Sequence, residues 1–211
     1  MKSKIILPGF GVLLIIASFV LFSSVTNHYW IDRDKLKTGD VIFQSTNSKQ
    51  CEAVKRATNS KFSHVGMIIK NAKGTFVLEA IEPVSLTPLS TWISRGQKKY
   101  FEVRTPVQEL KITPKIQKKL DSLSELYLTK HYDLHFNWSD EKLYCSELVW
   151  KIYKNIFNIS LCEPKKMKDF HLDDPLVKVI LQERYGNNVP LEDTVVAPED
   201  LYLSSKLKDI N

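Results

Sequence analysis

Cys145, His64 and Glu79 are the residues whose types and positions point to covalent catalysis. Cys145 precedes a helical pattern in which Leu148 and Val149 follow three and four residues later, so its side chain is predicted to lie on the inward face of a helix start. Free backbone N–H groups and the positive end of the helix dipole stabilise a thiolate there. Cys145 is therefore either an activated nucleophile or a buried structural thiol.

A predicted β-hairpin places a histidine and a glutamate beside each other. Apolar runs predict strands over Phe62 to Ile69 and Thr75 to Ile81, and Asn71 to Gly74 between them has the residues of a type I turn. Pairing Asn71 with Gly74 sets a register in which His64 and Glu79 project from one face, with Cβ atoms roughly 5 to 8 Å apart. Such a pair is either a neutralised core histidine or an imidazole oriented for acid–base catalysis.

Short strands and amphipathic helices are predicted to position these residues. Three helices have recognisable N-caps, namely Ser48, Thr113 before Pro114, and Asp174 before Pro175. The other predicted elements are a strand at Val41 to Phe43, a helix at Pro88 to Arg95, a strand at Tyr100 to Arg104 and a helix at Ser146 to Phe157.

Residues 1–26 have the pattern of a targeting segment. Lys2 and Lys4 precede Ile5 to Phe22, a run without any charged residue, as in an export signal. The length of this run is intermediate between that of a cleavable signal and that of a membrane span. The residues from Ser23 onwards contain no Ala-x-Ala cleavage site. We expect a signal peptide or signal anchor at 1–26 and a domain at 30–211 outside the cytoplasm.

Export also bears on the three cysteines of the chain. Two of three cysteines can pair in an exported protein, which leaves one thiol reactive or buried. Cys51 and Cys162 are the candidates for a disulfide, provided that their Cα atoms lie within roughly 7 Å of each other.

The composition is that of a single globular domain. The chain has 211 residues, of which 43% are hydrophobic and 26% charged, which suits one core. The net charge of +6 comes from scattered lysines, so no nucleic-acid binding is expected. His131 and His135 have zinc-ligand spacing but lack the adjacent glutamate of a zinc helix, so we expect no metal and no cofactor.

Several motifs between Leu36 and Leu201 resemble the YiiX/YebB-like cysteine peptidases, a permuted branch of the papain-like NlpC superfamily. The motifs that carry the resemblance are Thr38-Gly39-Asp40-Val41-Ile42-Phe43-Gln44, Phe62-Ser63-His64-Val65-Gly66-Met67, Phe76-Val77-Leu78-Glu79-Ala80, Tyr132-Asp133-Leu134-His135-Phe136-Asn137-Trp138-Ser139-Asp140, Tyr144-Cys145-Ser146-Glu147-Leu148-Val149-Trp150, Glu183-Arg184-Tyr185-Gly186 and Val195-Val196-Ala197-Pro198.

The resemblance implies an α+β, permuted papain-like (NlpC-type) fold, in which a small antiparallel sheet packs against helices that include the catalytic-cysteine helix. It implies a catalytic triad in the chain order His64, Glu79, Cys145. Three further residues are candidates for the oxyanion hole or for substrate contact, and these are Tyr144, Gln44 and Tyr132. For Tyr144 the alternative is ordinary packing, which is common for a tyrosine before a helix. For Tyr132 and Asp133 the alternative is a turn held by the Asp133 side chain.

The implied function is that of a cell-envelope cysteine hydrolase that cleaves an amide or ester bond through an acyl-enzyme intermediate. Substrate candidates are peptidoglycan peptides and N-acylated amines or lipids. The alternative is a membrane-tethered, non-catalytic binding module of the same fold. The expected partner is a peptide or small molecule, with the membrane contacted only through the N-terminal segment, in a periplasmic or membrane-anchored location.

Overall fold

An antiparallel sheet forms the centre of the computed structural model, which describes residues 32–210. Within these residues the strands are β1 (Val41–Gln44), β2 (His64–Asn71), β3 (Gly74–Glu79), β4 (Ser85–Pro88), β5 (Phe101–Pro106), β6 (His131–Tyr132), β7 (Lys142–Leu143), β8 (Lys165–Lys166), β9 (Thr194–Val195) and β10 (Leu207–Asp209). The main sheet has the order β10-β5-β1-β2-β3-β4, and two small ladders pair β6 with β7 and β8 with β9.

Helices pack around this sheet, as expected for an α+β fold. Within the described residues they are α1 (Lys49–Thr58), α2 (Leu89–Arg95), α3 (Pro114–Leu128), α4 (Cys145–Ile152), α5 (Pro175–Tyr185) and α6 (Pro198–Tyr202). The predicted caps are in place, since the side chains of Ser48, Thr113 and Asp174 each accept a first-turn backbone N–H. Each such cap stabilises its helix by about 1 kcal/mol.

The β2–β3 hairpin has the predicted register. Asn71 pairs with Gly74, and the ladder continues regularly towards the start of β2. Side chains alternate between the two faces of a sheet, so this register places His64 and Glu79 on the same face.

Different helices cover the two faces of the sheet. On one face, Leu148 and Val149 of α4 pack with Val65 and Met67 of β2 in the larger core. On the other face, Trp92 of α2 is completely buried in a second core. The sheet is therefore the middle layer, and both of its faces exclude water.

The helix that begins at Cys145 is shorter than its periodicity predicts. The pattern predicts one helix through Phe157, but regular α-helix ends at Ile152 and a π-helical turn follows. Tyr153 opens that turn, is buried, and donates its hydroxyl proton to the carbonyl oxygen of Gly39. This long-range contact accompanies the change of helical geometry, and a local sequence pattern does not reveal it.

The predicted targeting segment, 1–26, lies outside the described residues. Among residues 32–210, no helix combines the length and the apolar composition needed to cross a bilayer.

The disulfide that the sequence allowed between Cys51 and Cys162 is absent. All three cysteines belong to the described residues, and each is a free thiol. The sulfur of Cys51 lies 2.9 Å from Thr46 Oγ1, whereas Cys162 lies near the charges of Lys165 and Asp200. The two thiols therefore have different neighbourhoods.

Candidate active site

Cys145 and His64 meet where their secondary-structure elements begin. His64 is the first residue of β2, and Cys145 is the first residue of α4. The imidazole hydrogen-bonds both the Cys145 thiol and the Glu79 carboxylate. Its Nε2 lies 2.6 Å from Glu79 Oε2, so Nδ1 is the ring nitrogen left for the cysteine.

The positive charge of His64 is stabilised from two sides. Burial acts to lower the pKa of His64, but hydrogen bonds and attraction to the Cys145 thiolate and to Glu79 outweigh it and raise the pKa from 6.5 to about 10. The geometry is thus suited to hold an imidazolium at neutral pH.

Glu79 is completely buried and is held by three side chains. Its Oε2 bonds His64, while Oε1 accepts hydrogen bonds from the Thr87 hydroxyl and the Arg95 guanidinium. Burial acts to raise the pKa of Glu79, but the hydrogen bonds, that to His64 first, lower it below its usual value. The carboxylate therefore stays ionised, although it is shielded from water.

Sequence reasoning missed Thr87 and Arg95. Thr87 lies on β4, whose pairing with β3 brings it next to Glu79, and Arg95 ends α2, which packs over the same face. The contact of Arg95 depends on the packing of α2 over the sheet, and that of Thr87 on the strand β4, which the residue pattern did not predict.

Gln44 lies directly opposite His64 in the β1–β2 ladder and is fully buried. No described residue hydrogen-bonds its side-chain amide. Its Oε1 packs so closely on Gly96 that a Cβ added to this glycine would lie 2.5 Å away. Gln44 does not line the cavity that contains Cys145, so the structure places it beside His64 and not at the cavity wall.

An apolar cavity opens beside Cys145. It contains about 740 Å³ of empty space, including the part open to solvent. Helices α1 and α5 form much of its wall. The apolar side chains that shape it include Ala53, Ala57, Met167, Phe170, Val177 and Ile180. This lining suits a hydrocarbon chain better than a polar group.

Tyr144 lines this cavity from the N-cap position of α4. It is buried, and its hydroxyl oxygen accepts a hydrogen bond from the Val196 backbone N–H at 3.1 Å. Its ring packs edge-on against Phe136, with centroids 5.2 Å apart. Tyr144 thus combines the packing role with a place at the cavity wall.

Tyr132 also lines the cavity, near Cys145. Its hydroxyl oxygen accepts a hydrogen bond of 3.4 Å from Gln50 Nε2. Burial, followed by the neighbouring Cys145 and Cys51 sulfurs, raises the pKa of Tyr132 well above 10, so the phenol keeps its proton. That proton is a donor beside the thiol.

Asp133 and the two neighbouring histidines serve the local structure. The Asp133 carboxylate accepts the backbone N–H groups of His135 and Asn137 at 2.8 and 2.7 Å, so the turn interpretation of Asp133 is correct. His131 Nδ1 lies 2.6 Å from an oxygen of Glu82 at the surface.

Cys51 lies near the candidate site, because its sulfur, like that of Cys145, acts on the Tyr132 hydroxyl. Burial acts to raise the pKa of Cys51, but hydrogen bonds from nearby hydroxyls, that of Ser48 first, lower it below its usual value. Cys162 behaves in the opposite way, because burial raises its pKa to about 12. Cys162 therefore has the character of an inert buried thiol, whereas Cys51 is a second candidate for reaction.

This fold and this pairing of a helix-start cysteine with a strand histidine are those of a papain-like cysteine hydrolase with permuted chain order. Residues 35–211 match the model of a family described as permuted papain-like amidase enzymes, YaeF/YiiX, C92 family. The chain belongs to this family, and it is a cysteine peptidase/amidase-type enzyme. The match favours the enzyme interpretation over the binding module.

Among its relatives is YiiX of Escherichia coli (strain K12), which is 42% identical over 174 residues, or 82% of this chain and 85% of that protein. The crystal structure of yiiX from Escherichia coli O157:H7 has a TM-score of 0.79 and 42% sequence identity, and the match covers 84% of this chain and 97% of that one. The latter is described as a metalloprotein. In residues 32–210 of this chain, no group of three or more His, Cys, Asp and Glu side chains is placed to hold a metal ion.

Proposed function

We propose that the protein is a thiol amidase of the cell envelope that hydrolyses N-acylated amines or lipids. Cys145 is the nucleophile, His64 is the general acid and base, and Glu79 orients His64. The observation that supports this most directly is the His64 imidazole, whose Nε2 bonds Glu79 and which also interacts with Cys145, beside an apolar cavity.

Acylation begins at the Cys145 sulfur. The thiolate attacks the amide carbonyl carbon, a C–S bond forms, and the carbonyl π electrons move onto the oxygen. Cys145 is the first residue of α4, so its backbone N–H has no partner within the helix and is the natural donor to that oxyanion. The His64 imidazolium then gives its proton to the amine nitrogen, the C–N bond breaks, and the amine leaves.

Deacylation reverses the role of His64. The neutral imidazole takes a proton from water while the water oxygen attacks the thioester carbonyl carbon. The C–S bond breaks, a carboxylic acid leaves, and the thiolate–imidazolium pair is restored. Throughout, the ionised Glu79 carboxylate accepts a hydrogen bond from the Nε2–H group of His64, so that Nδ1 faces the sulfur.

The cavity favours an acyl chain over a peptidoglycan peptide. Its wall is lined mainly by aliphatic and aromatic side chains, which stabilise hydrocarbon by burial. A peptidoglycan peptide carries amides and carboxylates that would find few partners there, and leaving such groups unpaired is unfavourable.

The envelope location rests on the sequence of residues 1–26. Lys2 and Lys4 followed by the uncharged run Ile5 to Phe22 favour export and either cleavage or anchoring. An anchored domain would meet acylated molecules at the membrane surface.

Hydrolysis assays on the full-length protein in detergent test the proposed function. Mass spectrometry would follow an N-dodecanoyl amine, a dodecanoyl ester and peptidoglycan fragments, with Cys145→Ala as the control. We expect dodecanoic acid from the amide with the wild-type protein and none with the variant. Equal release by Cys145→Ala would contradict the nucleophile assignment, and cleavage restricted to peptidoglycan would contradict the substrate assignment.

A further inference from the structure

Arg184 is unusual in the wall of the cavity. It is the one charged side chain among the described residues that line the cavity, and it is half-buried. Its guanidinium lies over the Phe136 ring, 5.0 Å from the centroid. No carboxylate within residues 32–210 forms an ion pair with it. A partly buried cation without a carboxylate partner is expected to attract an anion.

Arg184 and Cys145 line the same cavity, and both lie near enough to Tyr132 to act electrostatically on its hydroxyl. Its contact Phe136 packs edge-on against Tyr144, with centroids 5.2 Å apart, and Tyr144 immediately precedes the cysteine. Val177 lies two turns before Arg184 on the same helix, α5, which corresponds to roughly 10 Å along the helix axis. Since Val177 lines the same cavity, the cavity combines an apolar stretch with a cationic side chain near Tyr132.

We propose that Arg184 recognises an anionic group, a carboxylate or a phosphate, that the substrate carries close to the scissile amide. This rests on the proposed function and narrows its substrate class. The acyl chain lies along the apolar stretch, and the amine portion carries the anion. A planar guanidinium can bond either anion through two parallel N–H groups. N-acyl amino acids and acylated phosphate headgroups share this chemistry.

Calorimetric binding to the full-length Cys145→Ala protein tests this recognition without turnover. The probes are N-dodecanoylglycine, its uncharged analogue N-dodecanoylglycinamide, and dodecyl phosphate. We expect the two anions to bind roughly tenfold to a hundredfold more tightly than the amide, as is typical of hydrogen bonds to charged groups. Adding Arg184→Gln is expected to abolish this preference, and adding Arg184→Lys to retain part of it.

Lys178→Gln is the matched control. Lys178 is exposed on the same helix and does not line the cavity, so its loss removes the same charge and should leave the preference for anions unchanged. Thermal unfolding checks that each variant folds. Should Arg184→Gln not fold, the comparison of Arg184→Lys with Lys178→Gln carries the test.

The outcomes separate this inference from the proposed function. Equal affinity for N-dodecanoylglycine and its amide, or a preference for anions that survives Arg184→Gln, would overturn the role of Arg184. Tighter binding of dodecyl phosphate than of the carboxylate would support the recognition of anions by Arg184 and identify phosphate as the anion that the natural ligand carries. Arg184-dependent binding without hydrolysis by the wild-type protein would support recognition and contradict the amidase proposal.

Discussion

The His64 imidazole and the Glu79 carboxylate are diagonal neighbours across the β2–β3 ladder, and they meet at 2.6 Å. The other carboxylate oxygen accepts hydrogen bonds from Thr87 and Arg95. A carboxylate bound through both oxygens resists rotation, so it holds the imidazole in one orientation. The orientation of His64 is therefore set by three elements of the fold, β3, β4 and α2.

Replacing Glu79 by Gln tests this orienting role. The amide keeps the shape of the side chain but loses the charge that stabilises the imidazolium, so we expect kcat to fall by up to roughly 10⁴-fold while some activity remains. Amide hydrolysis measured at saturating substrate provides kcat. Thr87→Val removes one hydrogen bond from the far oxygen and should have a smaller effect. An unchanged kcat in Glu79→Gln would contradict the role.

The pH profile of hydrolysis tests the charge state of His64. The imidazolium must be present to protonate the leaving amine, and its pKa is raised to about 10 by the Cys145 thiolate and Glu79, against the effect of burial. We expect kcat/KM to fall only as the pH rises through that region. In Glu79→Gln part of the attraction is lost, so the alkaline limb should move to lower pH. A wild-type limb near pH 6.5 would show an unperturbed histidine.

A buried ion pair within α4 is expected to stabilise the cysteine helix. Lys151 Nζ lies 2.8 Å from Glu147 Oε1, and the two side chains are 9% and 0% exposed. Replacing Lys151 by Met leaves this carboxylate buried without its cation, at an expected cost of about 3–5 kcal/mol of unfolding free energy.

Urea unfolding at pH 8 measures this effect. Burial raises the pKa of Glu147 to about 7, so the carboxylate is mostly ionised at pH 8. The double variant Lys151→Met with Glu147→Gln should recover part of the loss, because it no longer buries a charge. A loss below about 1 kcal/mol for Lys151→Met would argue against the pair.

The location of the domain is tested by reporter fusions after Asn211. If residues 1–26 direct export, a reporter that is active only outside the cytoplasm should be active, and one that requires the cytoplasm should be silent. N-terminal sequencing of the mature protein then separates cleavage from anchoring. The reverse reporter pattern would contradict export.

Local rules predicted the hairpin that carries His64 and Glu79 and the starts of three helices around the sheet. The caps Ser48, Thr113 and Asp174 act within one helical turn, so a short stretch of sequence reveals them. The pairing of Asn71 with Gly74 determines the hairpin register, and that register determines which side chains share a face.

The surroundings of the site could not be predicted in this way. Arg95 reaches Glu79 because α2 packs over the sheet, and Arg184 reaches the cavity because α5 packs against α1. The C-terminal strand β10 joins the far edge of the sheet beside β5. These contacts link segments that are distant in the chain, and neither periodicity nor capping encodes such distances.

Thiol labelling at pH 6 tests the central claim, that Cys145 is a thiolate paired with His64, most directly. A thiol with an ordinary pKa near 8.5 is almost fully protonated at pH 6, and Cys162, whose pKa burial raises to about 12, is an internal control. After brief exposure to iodoacetamide, peptide mapping should find the adduct on Cys145 first, on Cys51 more slowly and not on Cys162. The substitution His64→Ala should slow the reaction of Cys145. Labelling of Cys145 that appears only above pH 8, at the same rate with and without His64, would contradict the account.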